Sequence, residues 1–186
     1  MNLLLSFFWA LVSMVRLWQG LQLQKILLVY LAVQAGIVAV LFIKRREPKR
    51  KANRLQEGVA WASALLPLAV HLPESGYKPG GEWLAIIGVA ISILAVNRLS
   101  VSFGVAPADR GLVTSGIYKL VRHPMYLGEL MALLGAVISW ISAWNALIVL
   151  VQIGLTVLRI RWEENLIDGY AEYRQKVKWR LLPLIW

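Results

Sequence analysis

The sequence predicts an all-α, polytopic membrane bundle of five to six transmembrane helices, and three observations carry that prediction. Of 186 residues, 59% are hydrophobic and only 16% charged, and the mean hydropathy is +0.62. A soluble domain of this length lacks the interior volume to hide so much apolar surface, and disorder needs the opposite composition. The apolar residues also fall into six segments, most of them near the ~20 residues that cross a bilayer. Finally, the formal net charge of +10 is unevenly spread, as a multi-pass chain requires.

The first segment, residues 2–18, is interrupted by Arg16 and is short enough either to cross or to lie in the interface. The second, residues 26–43, has no charge and is the clearest span. Residues 44–54 then hold seven cations in eleven positions. The third segment, 58–72, contains Pro67 and suits a membrane only inside a bundle, where neighbours satisfy the freed backbone groups. A turn-rich loop, 73–81, leads to the fourth segment, from Trp83 to about Phe103. Residues 104–123 are polar and glycine-containing. The fifth segment runs from Pro124 to near Ser139, and residues 139–145 read as a tight interfacial turn. The sixth, from Ala146 to about Leu158, continues as helix to Ile167, followed by a basic, aromatic tail.

Six crossings place loops 44–57, 98–125 and 159–186 on one side, expected to be cytoplasmic. These loops hold 17 Lys and Arg against three elsewhere. The 44–54 cluster reads as a topology signal with attraction for anionic membrane lipids. A nucleic-acid partner is not expected despite a pI of about 10.2. The chain reads as one domain, with residues 1–97 supplying membrane helices and 98–186 a functional core. With no cysteine, disulfides and thiolate nucleophiles are excluded. Two histidines, His71 and His123, do not make an all-histidine metal site, so no metal is expected.

Ionisable residues near membrane depth gather in two places, Asp109–Glu129 and Arg159–Asp168. Such residues are functional candidates by default. In the first, Pro124 suits the opening turn of a helix, which sets His123 at the helix entrance. Free N–H groups there favour an anion. Arg122 and His123 read equally as anion ligands or as side chains reaching for lipid headgroups. In the second, Arg159 and Glu163 share a helical face and Glu164 lies about 100° further round. This pattern fits either a site or a solvated helix end with an arginine–glutamate pair. No phosphate-binding glycine loop or nucleophile elbow is present.

The block Leu112-Val-Thr-Ser-Gly-Ile-Tyr-Lys-Leu-Val-Arg-His-Pro-Met-Tyr-Leu-Gly128 resembles the signature of the isoprenylcysteine carboxyl methyltransferase superfamily, which includes phospholipid methyltransferases. Glu163-Glu164 after Arg159, with Tyr170, Tyr173, Arg180 and Pro183, is similar to that superfamily's C-terminal block. The resemblance implies an integral membrane enzyme that uses S-adenosylmethionine. The methyl acceptor would be a lipophilic or prenylated molecule reaching the site from the bilayer. By motif, Tyr118, Arg122, His123, Tyr126, Leu127 and Gly128 would line the cofactor site, Glu164 would hold the cofactor's polar end, and Arg159 and Glu163 would face the reacting group. The expected reaction is closest to prenyl-cysteine carboxyl O-methylation, with phospholipid N-methylation or small-thiol S-methylation as alternatives. The expected location is a prokaryotic inner membrane. The sequence departs from the pattern at Ile117, where proline is usual, and in a short stretch after Glu164 that predicts a small lid. A rival within the same resemblance is an NADPH-dependent intramembrane reductase. The rival outside enzymes is a membrane scaffold or small transporter.

Overall fold

The computed structural model describes residues 2–23, 25–71 and 76–186. The helices are α1 (Asn2–Gln22), α2 (Ile26–Lys44), α3 (Arg54–Leu65), α4 (Gly81–Leu99), α5 (Pro124–Ser139), α6 (Ala143–Leu166) and α7 (Tyr170–Lys176). Two short strands, β1 (Arg50–Lys51) and β2 (Ala108–Asp109), pair antiparallel. Among the described residues four helices are long and apolar enough to cross a membrane: α1, α2, α4 with its 3-10 extension, and α6; α5 is a shorter apolar helix of 16 residues.

The polypeptide alternates between two ends of a bundle. At one end Arg45, just past α2, donates to the side chain of Asn2 at 3.0 Å, and the amide of Arg46 donates to the carbonyl of Val101 beyond α4 at 2.7 Å. At the other end the Lys25 ammonium lies over the Tyr77 ring, which packs on Trp140 in the α5–α6 turn. The helix α1 therefore runs the length of α2, and it does so as a full 21-residue span. The cation-rich loops share the first end.

Three helix starts differ from the sequence expectation, two of them because of a cap. α3 begins at Arg54, not residue 58, because Asn53 and Gln56 form a reciprocal capping box that satisfies two orphan amides. α6 begins at Ala143 because the Ser142 hydroxyl accepts from the Asn145 amide at 3.1 Å. α4 begins at Gly81, where helix α5 comes so close that a Cβ would sit 2.8 Å from the Ser139 amide. α3 ends in a 3-10 turn at Leu66–Ala69 around Pro67. Beyond it, the Asn145 side chain accepts from the His71 amide and donates to its carbonyl, both at 2.9 Å. The chain from Arg54 to His71 thus follows α6 along its apolar length. Leu72 and positions 73–75 of the expected loop lie outside the described residues.

Small residues set the tightest contact of the bundle. Gly81, Ala85, Gly88 and Ser92 on α4 face Gly128, Ala132, Gly135 and Ser139 on α5, and a Cβ on Gly88 would come within 2.6 Å of the Gly128 carbonyl oxygen. Close backbone approach of this kind is how membrane helices associate without a hydrophobic driving force. It leaves α5 with one face committed to α4 and another, carrying Tyr126, free to line a site.

Candidate functional site

The site forms at the cation-rich end, where the entrance of α5, the end of α6, α7, the tail and residues 99–113 meet. α5 starts at Pro124 with His123 as its N-cap. The two residues before it are held by the tail through backbone bonds: the Arg122 amide donates to the Trp179 carbonyl at 2.8 Å and the His123 amide to that of Arg180 at 2.9 Å. Further along, the Tyr173 hydroxyl donates to the Tyr118 carbonyl at 2.6 Å. The 116–123 segment and the tail are therefore one unit, even though more than fifty residues separate them in sequence.

Glu164 anchors a charged corner. It accepts a two-pronged contact from Arg180, at 3.0–3.1 Å from Nε and 3.0 Å from Nη2. It also pairs with Arg122 Nη1 at 3.0 Å and with His123 Nε2 at 3.3 Å. Arg122 and His123 are 7% and 5% exposed, so little water competes with these contacts. Burial opposes a proton on His123, but its hydrogen bonds to the Glu163 and Glu164 carboxylates outweigh it and raise the imidazole above its ordinary value. The Tyr170 hydroxyl reaches His123 Nε2 at 2.9 Å.

Glu163 faces the other way. Its carboxylate accepts from the Tyr126 hydroxyl and lies 3.6 Å from His123 Nδ1, with no arginine paired to it among the described residues. It lines a cavity of about 70 Å³ together with Tyr118, Arg122, His123 and Tyr126, and with Arg110 and Gly104 from the segment before the motif block. An open groove of about 490 Å³, lined by Glu164, Arg161, Arg174 and Arg180, adjoins it and shares Ile167 and Tyr170. Cavity and groove together reach the 300–1,000 Å³ usual for small-molecule sites. Burial pushes the Tyr118 and Tyr170 hydroxyls well up and that of Tyr173 up to about 12. All three stay neutral near neutral pH.

Of the residues singled out in the sequence, the structure brings Tyr118, Arg122, His123, Tyr126 and Glu163 around the cavity and sets Glu164 beside it. Three lie off both spaces. Gly128 is occupied by α4, since a Cβ there would lie 2.9 Å from Ser92 Cα. Leu127 packs into the main apolar core. Arg159, 2% exposed, donates to the Ser63 hydroxyl and the Val105 carbonyl, both at 3.0 Å, lies 4.0 Å from Glu129, and stacks over the Tyr126 ring at 4.5 Å. It ties α3, α5, α6 and the 104–107 segment together beneath the cavity.

Sequence reasoning missed Arg110 and Gly104, which lie just before the motif block. It also missed the role of the basic cluster. Arg50 in that cluster forms ion pairs with Asp168 and with buried Asp109, and its strand pairs with β2. The cluster thus braces a wall of the cavity. The paired signals, Asp109 and a cationic segment far upstream, are visible in sequence, but their partnership is not.

A family model described as phospholipid methyltransferase matches residues 80–172, half of the chain. That stretch runs from the start of α4 into α7 and holds both glutamates and the cavity-facing side of α5. The chain belongs to this family. No curated protein matches it.

Proposed function

We propose that this member of the phospholipid methyltransferase family transfers a methyl group from S-adenosylmethionine to the amine headgroup of a lipid. The family makes methyl transfer in a membrane the frame. The observation that carries the finer reading is Glu163, a carboxylate in the cavity wall that is held by Tyr126 and His123 and not neutralised by an arginine. Such a group attracts a cation and repels the carboxylate nucleophile that prenyl-cysteine methylation needs. Arg159, which would orient such a carboxylate, has its terminal nitrogens bound to protein groups away from the cavity.

The residues also fit the cofactor. The tyrosine-lined cavity supplies faces for an adenine, and Arg122, His123 and Glu164 supply both signs of charge for an amino-acid group. S-adenosylmethionine would bring a methyl on a sulfonium, open to in-line displacement. The protein's part is to position the reactants and exclude water. Glu163 draws in the lipid ammonium and is placed to accept the proton that frees the nitrogen's lone pair. The Tyr126 hydroxyl and His123 hold that carboxylate in place. No enzyme nucleophile is required.

The test is a labelled-methyl transfer assay on purified protein with phosphatidylethanolamine, a prenyl-cysteine analogue and a small thiol. Label on the phospholipid nitrogen is the expected result. Label on the prenyl-cysteine carboxyl or the thiol overturns the choice of acceptor. No label on any of them, with no binding of S-adenosylhomocysteine, overturns methyl transfer itself.

A further inference from the structure

Several arginines around the site are held by protein groups. Arg122 and Arg180 share Glu164, Arg159 is bound by Ser63 and Val105, Arg50 pairs with Asp168, and Arg45 is held by Asn2. Arg110 differs. It lines the cavity, yet among the described residues its guanidinium makes no hydrogen bond or ion pair, and its Nε is buried without a partner. A half-buried guanidinium with its Nε enclosed gains from a ligand that supplies the missing acceptor.

The chain around Arg110 is built to hold it there. A Cβ on Gly104 would lie 2.5 Å from Arg110 Nη1 and 3.0 Å from its Cζ, so only a residue without a side chain lets the guanidinium lie on this backbone. The Ser102 hydroxyl donates to the Arg110 carbonyl at 3.1 Å. On either side, the Gly111 amide donates to Asp109 at 3.1 Å and Asp109 sits in the strand pair with Arg50. Its neighbours by charge are Arg45 and Glu47 at the end of α2, and Glu163. The ends of α2 and α4 meet here through Arg46 and Val101. Lipid phosphates lie where membrane helices leave the hydrocarbon, and the ends of two long apolar helices meet beside Arg110.

We infer that Arg110 receives the phosphate oxygen of the lipid acceptor, so that Arg110 and Glu163 together recognise a zwitterionic headgroup, anion at the first and ammonium at the second. The inference deepens the proposed function and rests on it. A guanidinium fork suits a phosphodiester because two parallel N–H bonds match its oxygens. Of the two arginines that line the cavity, Arg122 is matched by Glu164 and Arg110 is not.

The experiment compares wild type with Arg110→Gln, Arg110→Lys and Gly104→Ala, the last leaving the charge but displacing it. Dihexanoyl phosphatidylethanolamine and an alkylamine without phosphate serve as acceptors, and calorimetry with S-adenosylhomocysteine reports the cofactor half separately. In Arg110→Gln the KM for the phospholipid should rise about tenfold or more with kcat changed much less, Lys should recover part of it, and Gly104→Ala should raise it too. The KM for the alkylamine and the affinity for S-adenosylhomocysteine should stay at wild-type values, and inorganic phosphate should inhibit wild type competitively but not Arg110→Gln. An equal rise for both acceptors, an unchanged phospholipid KM, or a matching loss of S-adenosylhomocysteine affinity overturns the inference. A wild type that methylates the alkylamine but no phospholipid overturns it while leaving methyl transfer standing. A wild type that binds no S-adenosylhomocysteine and methylates neither overturns both.

Discussion

Glu163 and Glu164 are adjacent in sequence and belong to different regions. Around Glu164, three cationic groups converge on one carboxylate, and the contacts join α6, the entrance of α5 and the tail. Around Glu163, the carboxylate meets a tyrosine and the edge of an imidazole, while the unpaired guanidinium of Arg110 lines the same cavity. Two like charges on one helix turn are tolerated because Glu164 is matched by two arginines and the shared His123 ring, while Glu163 has only that ring and a tyrosine hydroxyl and also lines the cavity. Matched charges of this kind hold a structure in shape. Unmatched ones at a cavity wall are where a ligand gains most, since they lose the least by giving up existing partners.

The sharpest way to break this contrast is to remove Glu164. Glu164→Ala leaves Arg122, Arg180 and His123 facing one another with nothing between them. Loss of one member of such a buried set costs about 3–5 kcal/mol, so the melting temperature should fall more than for any other substitution discussed here. The tail should come loose, which limited proteolysis after Tyr173 would show, and S-adenosylhomocysteine binding should go with it. A melting temperature equal to wild type would mean that the corner organises nothing.

Arg159 tests the same contrast from below the cavity. Its resemblance-derived role is to face the reacting group; its position is that of a tie among four segments. Arg159→Lys keeps one charge but loses the fork to Ser63 and Val105, which should cost about 1–3 kcal/mol in stability. Once folded and measured at a temperature where it is stable, the variant should keep its acceptor KM and its affinity for S-adenosylhomocysteine. A collapse of turnover with unchanged melting would instead place Arg159 among the reacting groups.

Local signals were legible in the sequence and distant partnerships were not. Pro124 announced the start of α5 because proline is at ease in a first helical turn, and the charge-free stretch after Ile26 announced α2. Caps were harder: Asn53 reads as one more polar residue in a basic run until its box with Gln56 is seen. Gly128 shows why a motif glycine is ambiguous. Missing side chains allow backbone to meet either a ligand or another helix, and only the matching row of small residues on α4 decides for the helix. Arg110 was hidden for a different reason. What distinguishes it is the absence of a partner, a property of every other residue's position.

The smallest effect expected, and the finest probe of the boundary between the two regions, is the titration of His123. The ring sits between them, with Glu163 on one nitrogen, Glu164 and Tyr170 on the other, Arg122 next in the chain and the Tyr126 ring stacked at 5.8 Å. Its folded value is raised above the ordinary one of about 6.5. A raised value means the folded state holds the proton more tightly than the unfolded chain. That contribution to stability is whole below about pH 6.5 and is lost as pH rises through the folded value. Melting should therefore drop as pH rises above about 6.5, by about 2–4 °C for each kcal/mol lost in a chain of this size. Glu164, held at about 2, titrates below that window and Tyr173, at about 12, above it. His123→Gln should flatten the slope, while Arg110→Gln should leave it in place. A slope that survives in His123→Gln would show that the two glutamates do not share the ring's proton, and the boundary between matched and unmatched charge would have to be drawn elsewhere.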